Sequence, residues 1–161
     1  MNTNIRITVH SQTEKLNIAG GEYRVLVPGT QTSDSYAIIE MSVPPGAGPV
    51  PHAHPDFEEI FFVLEGTLHF YTQEGSTLVQ KGDTVVIPKG GRIHNFKNLA
   101  DQPAKLLCTV VPAGLDQFFT EAAAYLETQP GDAEAMKQYM QTLSEKYGQQ
   151  LFPPDYWEAH K

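Results

Sequence analysis

Cysteine and arginine are scarce in this chain of 161 residues: one cysteine, Cys108, and three arginines, Arg6, Arg24 and Arg92. A single cysteine rules out an intramolecular disulfide and any Cys-x-x-Cys pair for zinc or redox work. Cys108 lies in the apolar run Leu106-Leu107-Cys108-Thr109-Val110-Val111, so it reads as a small core residue rather than a nucleophile. Lysine and arginine total 11 against 19 aspartates and glutamates, a net charge of −8. An acidic surface repels phosphate backbones and anionic lipid, so neither nucleic acid nor a membrane is an expected partner. No unbroken apolar run exceeds the five residues of 60–64, too few to span a bilayer. The N-terminal stretch lacks the apolar block of a signal peptide. The expectation is a soluble cytoplasmic protein. There is no Gly-rich phosphate loop with Lys-Ser/Thr, no Gly-x-Ser-x-Gly elbow and no basic helix-turn-helix, which sets aside the chemistries those motifs carry.

What is present is an ordinary globular composition, 40% apolar and 19% charged. The length suits one domain with a proper core. Thirteen glycines and 12 prolines favour many turns. Stretches rich in branched and aromatic residues fall at 6–10, 23–27, 36–43, 59–64, 67–72, 77–80, 83–87, 94–98 and 105–111. Short turn sequences separate most of them, such as Glu65-Gly66 and Lys81-Gly82. Many short strands without intervening helices predict an antiparallel sandwich or barrel over 1–112. The pattern then changes. Residues 115–126 carry Leu115, Phe118, Phe119, Ala122 and Leu126 at helical spacing, and Pro130-Gly131 should end that helix. Asp132 can cap a second helix whose stripe is Met136, Tyr139, Met140, Leu143 and Tyr147, with Gly148 as its stop. Residues 113–161 are therefore expected to form a helical extension that buries its apolar faces on the barrel or on a partner subunit. The aromatic tail around Phe152, Tyr156 and Trp157 should lie across another surface.

Six histidines are present: His10, His52, His54, His69, His94 and His160. In an extended segment the side chains at i and i+2 point the same way, so His52 and His54 can reach one point. Glu59 opens the next strand and His94 begins a later one. Three imidazoles and one carboxylate suit a divalent first-row metal: iron, manganese, cobalt, nickel, copper or zinc. Glu58 has the opposite parity and reads as a solvated carboxylate. If Glu59 and His94 point inward, so do Phe61 and Val63 on one strand and Phe96 and Asn98 on the other. Those four are candidates for the wall of a small-molecule pocket, and equally for plain core, because parity fixes the face but not the depth. His69 reads as an outward strand residue, Arg92 as an exposed turn residue or an anion contact, and His10 and His160 as unremarkable near the termini.

The frame around these residues is specific. Residues 46–66 read GAGPVPHAHPDFEEIFFVLEG, with five residues before His52, four between His54 and Glu59, and six before Gly66. Residues 82–98 read GDTVVIPKGGRIHNFKN, ending in His94, three residues and Asn98. This pair resembles the two motifs of the cupin superfamily. The resemblance implies an all-β double-stranded β-helix, a jelly-roll barrel, here with a C-terminal α-helical extension. It also implies the metal ligands His52, His54, Glu59 and His94. Only Glu59, not Glu58, keeps the spacing to Gly66. There is one departure: the turn from Pro88 to His94 is one residue longer than usual. Gly90 and Gly91 can absorb it, since glycine tolerates positive φ. Residues 111–119 and the extension are similar to small quercetin dioxygenase-like bacterial cupins. That implies a metal-dependent oxygenase acting on a small aromatic or enolic compound, with Glu59 as ligand or proton acceptor. Two alternatives stay open: a non-catalytic small-molecule binding module, and a metal-dependent isomerase or lyase working without dioxygen. A homodimer is expected, since the helices and tail carry apolar surface to bury.

Overall fold

The structure, a computed structural model, describes residues 4–18, 20–128 and 131–160. Eleven strands and three helices follow in chain order: β1 Leu16–Ile18, β2 Gly21–Val27, β3 Ala37–Val43, β4 His52–Ala53, β5 Glu58–Glu65, β6 Thr67–Thr72, β7 Gly75–Gln80, β8 Thr84–Ile87, β9 His94–Lys97, β10 Ala104–Val111, α1 Leu115–Glu127, α2 Ala133–Lys146, β11 Gln150–Leu151 and α3 Tyr156–Ala159. They form two antiparallel sheets, ordered β1-β2-β3-β10-β5-β8 and β11-β4-β9-β6-β7. This is a double-stranded β-helix, the jelly roll that the resemblance implies, with C-terminal helices. Alternation builds its core: the inward residues Ile39, Met41 and Val43 of β3 meet Leu106, Cys108 and Val110 of β10 and Phe61 and Val63 of β5. Burying such a set is the main favourable term in folding.

The extension is continuous with that core. Leu115, Phe118 and Ala122 of α1 and Leu143 of α2 belong to the same buried cluster as the barrel residues. Asp132 caps α2, its carboxylate accepting from the backbone N–H groups of Glu134 at 3.0 Å and Ala135 at 3.2 Å. At the other end Gly148 takes φ 72°. Its N–H donates to Glu145 O at 3.0 Å, and that of Gln149 donates to Ser144 O at 2.8 Å. This paired closure is the Schellman stop, and it turns the chain back toward the barrel. The extension then supplies a strand: Gln150 and Leu151 lie opposite Ala53 and His52. Pro130, part of the expected helix break, lies outside the described residues; α1 ends at Glu127.

The main correction concerns residues 6–10, expected as a strand. They pair with no sheet, and His10–Gln12 is a turn of 3-10 helix. Side-chain bonds tie the segment down instead, from Arg6 to Gln31 O and from Thr8 to Leu26 O. Ile5 and Ile7 stay 92% and 84% exposed. Their alternation with polar neighbours imitates a half-buried strand, but no face covers it. Strands β1, β4 and β11 went unanticipated, because two or three residues are too few to show a period of two. A hollow of about 410 Å³ lies where the segment before β1, β2 and α1 meet, with Asp116 on its wall.

Candidate metal centre

The two sheets face each other across the site, and each contributes. His52 of β4 lies directly opposite His94 of β9, which brings their ring centres to 4.4 Å. His54 follows two residues after His52 on the same side and stacks on Phe57 at 4.1 Å. Glu59 comes from the other sheet, second in β5. One ligand atom from each of His52, His54, Glu59 and His94 lies within 4.8 Å of the others, and all four residues are buried. The longer turn before His94 does not displace it: Gly90 and Gly91 take φ 114° and 75°, conformations that side chains with a Cβ rarely adopt.

Hydrogen bonds fix the tautomer of the three imidazoles in the cluster. The Nδ1 atoms of His52, His54 and His94 lie 2.9, 2.8 and 2.9 Å from the backbone oxygens of Val50, Phe57 and Arg92. A carbonyl oxygen only accepts, so each Nδ1 carries the hydrogen and donates it. In the neutral rings each Nε2 then presents a lone pair. This is the usual way a second partner orients a metal-binding histidine. Yet His54 Nε2 and His94 Nε2 lie 2.9 and 3.2 Å from the same oxygen, Glu59 Oε2. Lone pair facing carboxylate is repulsive unless a proton or a cation lies between them. A divalent cation satisfies all four groups at once, so the donor set fits a metal by its own chemistry.

Without a cation, a proton between His54 and Glu59 plays the same part. Burial pushes the His52 imidazole down to about 4, with the His94 ring adding to the effect. Burial would raise the Glu59 carboxyl, but contacts with His54 and His94 outweigh it and hold it far below the usual carboxylate range. Burial lowers His54, and its contact with the Glu59 carboxylate more than reverses this, leaving it above the ordinary histidine value. Cys108 Sγ lies 3.9 Å from Glu59 Oε1. Burial and the Glu59 charge push that thiol well up, so Cys108 is an inert core residue.

A cavity of about 340 Å³ opens beside the cluster. His52 and Glu59 form its polar corner, and Tyr23, Met41, Phe61, Phe96, Phe118 and Phe119 form apolar walls. Of the four candidate wall residues, Phe61 and Phe96 line this space. Val63 is wholly buried in the barrel core, and neither it nor Asn98 lines the cavity. Asn98 instead donates to Val43 O and Gln102 O and accepts from Ala100 N–H, which braces the loop after β9. The same parity leads to different depths. The sequence reading missed the roof: Lys137, Met140, Ser144 and Gln149 come from α2 and the turn after it. Elsewhere, His69 faces outward between buried Leu68 and Phe70. Arg92 pairs with Glu74 at 2.6 Å on the surface, and His10 pairs with Glu40 at 2.8 Å.

Residues 39–110 match the Cupin domain family. An uncharacterized protein of Methanocaldococcus jannaschii is 32% identical over 88 residues, covering 55% of this chain and 70% of that protein. Germin-like protein subfamily 2 member 1 of Arabidopsis thaliana is 37% identical over 86 residues, 50% of this chain and 38% of the relative. The chain spans from 32% to 50% of the length of the germin-like relatives it matches. Among solved structures, the polyketide cyclase RemF from Streptomyces resistomycificus superposes with a TM-score of 0.60 at 21% identity, over 67% of this chain and 80% of that one. KdgF from Halomonas sp. gives 0.62 at 15% identity, over 71% and 99%. Fold, paired motifs and converging side chains agree with that match: residues 39–110 are a cupin domain, and the chain carries a His/His/Glu/His cluster able to bind a metal. Among the described residues, no helix is long and apolar enough to cross a membrane.

Proposed function

We propose that this cupin is a metal-dependent oxygenase, similar to quercetin dioxygenases, whose substrate is a small aromatic or enolic compound held in the barrel. One observation carries the reading: an aromatic-walled cavity of about 340 Å³ meets the four-residue cluster only at His52 and Glu59. An apolar body with one ionisable oxygen fits such a space. His52, His54, Glu59 and His94 would hold the ion, which supplies Lewis acidity toward a bound hydroxyl and, where redox-active, electron transfer toward dioxygen. The three Nδ1–H bonds to backbone keep the imidazoles aimed. Glu59 is the one carboxylate among the described residues lining the cavity, so it either stays on the ion or, once released from it, is the group placed to take the proton from the substrate hydroxyl. Phe61 and Phe96 exclude water from the reacting face. Lys137, exposed at the roof, is the one lysine or arginine lining the cavity, which argues against a phosphorylated substrate.

The test is turnover by protein reconstituted with each candidate metal, offered flavonols and 1,3-diketones with and without oxygen. Product formed only in air, with matching oxygen uptake, is the expected result. Saturable binding without product under every metal would make the protein a binding module. Product formed equally without oxygen would favour Lewis-acid catalysis, the second reading, which the likeness to a polyketide cyclase supports. The proposal includes a homodimer, since Phe62, Leu78 and Val86 are exposed on the barrel. Sedimentation at micromolar concentration should show the dimer, and a lone monomer would refute that part.

A further inference from the structure

Gln149 is a long polar side chain in the roof of the cavity, and it is only 7% exposed. Its side-chain Nε2 is buried with no hydrogen-bond partner, the only such side-chain atom among the described residues. Its place is no accident of a loose loop. The positive φ of Gly148 and the bond from Gln149 N–H to Ser144 O at 2.8 Å fix its backbone at the end of α2. The pairing of Gln150 and Leu151 with β4 fixes the other side. The neighbouring roof hydroxyl is already used, Ser144 donating to Met140 O at 2.7 Å. An amide held in an apolar wall without a partner is costly, and natural folds rarely keep one that a ligand or water does not satisfy.

We propose that Gln149 is a second recognition point for the ligand. Its amide hydrogen-bonds an oxygen substituent on the apolar body of a molecule whose ionised hydroxyl lies at His52, His54, Glu59 and His94. The terminal amide torsion is soft, so Gln149 turns its N–H₂ to a carbonyl or its oxygen to a hydroxyl. The extension is thereby part of the substrate site. The ligand class narrows to aromatic or enolic molecules with two separated oxygen functions, one for each end of the cavity. This inference rests on the cavity being a substrate site.

The test uses the full-length, metal-loaded protein and calorimetric titration. The probes are 3-hydroxyflavone and its analogues bearing one further ring hydroxyl at different positions. Wild type should bind one analogue about tenfold or more tightly than the parent, the effect of one satisfied buried polar pair. Gln149→Met, of similar shape but without the amide, should bring that ratio close to one while leaving the parent's affinity within about twofold. A preference that survives in Gln149→Met, or no preference among the analogues in wild type, overturns the proposal. Parent binding that persists in the His52→Ala/His54→Ala variant instead defeats the function proposed above. A second measurement needs no ligand. Removing an unpaired buried amide should raise the Tm of the metal-free protein by about 2–4 °C in Gln149→Met. An unchanged or lower Tm shows the amide already satisfied, which also overturns the proposal.

Discussion

Two hollows of similar size treat their buried polar groups in opposite ways. In the outer one, Asp116 is 4% exposed, and its two oxygens accept from Gly29 N–H at 2.9 Å and Gly114 N–H at 3.0 Å. The carboxylate is spent on joining the start of α1 to the loop after β2. In the inner one, three imidazole nitrogens and Glu59 gather within 4.8 Å of one another, and the Gln149 Nε2 has no partner. Both sets are buried, so burial alone does not separate architecture from function. What separates them is whether the chain answers its own donors and acceptors. Where it does, the polar group holds the fold; where it does not, the group is arranged for something that arrives.

The contrast is sharpest at the histidines. His52→Ala/His54→Ala should fold with an unchanged circular dichroism spectrum and lose its metal altogether, since half the ligand set is gone. Full occupancy by elemental analysis in that variant would defeat the assignment. Asp116→Ala should behave the other way. Two buried N–H groups lose a charged acceptor, so chemical denaturation should show a loss of about 3–4 kcal/mol with metal stoichiometry intact. Loss of metal there without loss of stability would erase the distinction between the hollows.

Acid should also act on the inner hollow. Burial pushes His52 down to about 4, below the 6.5 of an unfolded-chain histidine. Between those values the unfolded state binds the extra proton. The metal-free fold is therefore fully stable above 6.5 and loses about 3 kcal/mol through His52 as pH falls to 4. Glu59, held low by His54 and His94, adds to the loss as the pH falls below the ordinary carboxylate range. His54, held up by the Glu59 carboxylate against burial, opposes it. Urea denaturation of metal-free protein at pH 7 and pH 4 measures the sum. A pH dependence just as steep in His52→Ala would mean that His52 is not its source.

The longer strands and the clustering of His52, His54, Glu59 and His94 were legible because each rests on local regularity. Alternation marks β3, β5 and β10, and the i, i+2 histidines need only an extended backbone to converge. The glycines before His94 announced a turn able to take one more residue. Depth was not legible. Phe61 and Val63 share a face, yet one lines the cavity and the other fills the core, because α1 and α2 decide where the hollow ends. Gln149 was hidden for the same reason: nothing in the sequence says that the residue after Gly148 turns into the barrel. Residues 6–10 misled because alternation describes a strand's side chains but not its partner.

Trp157 is the only tryptophan in the chain, and its indole N–H donates to Asn95 Oδ1 at 2.7 Å. Asn95 directly follows His94, so the chain's indole fluorescence reports from beside the metal ligands and from nowhere else. An open-shell ion captured by the histidines should quench that emission while zinc leaves it bright. Undocking of the tail should shift it to the red. One optical titration thus follows both the loading of the centre and the docking of the tail on Asn95.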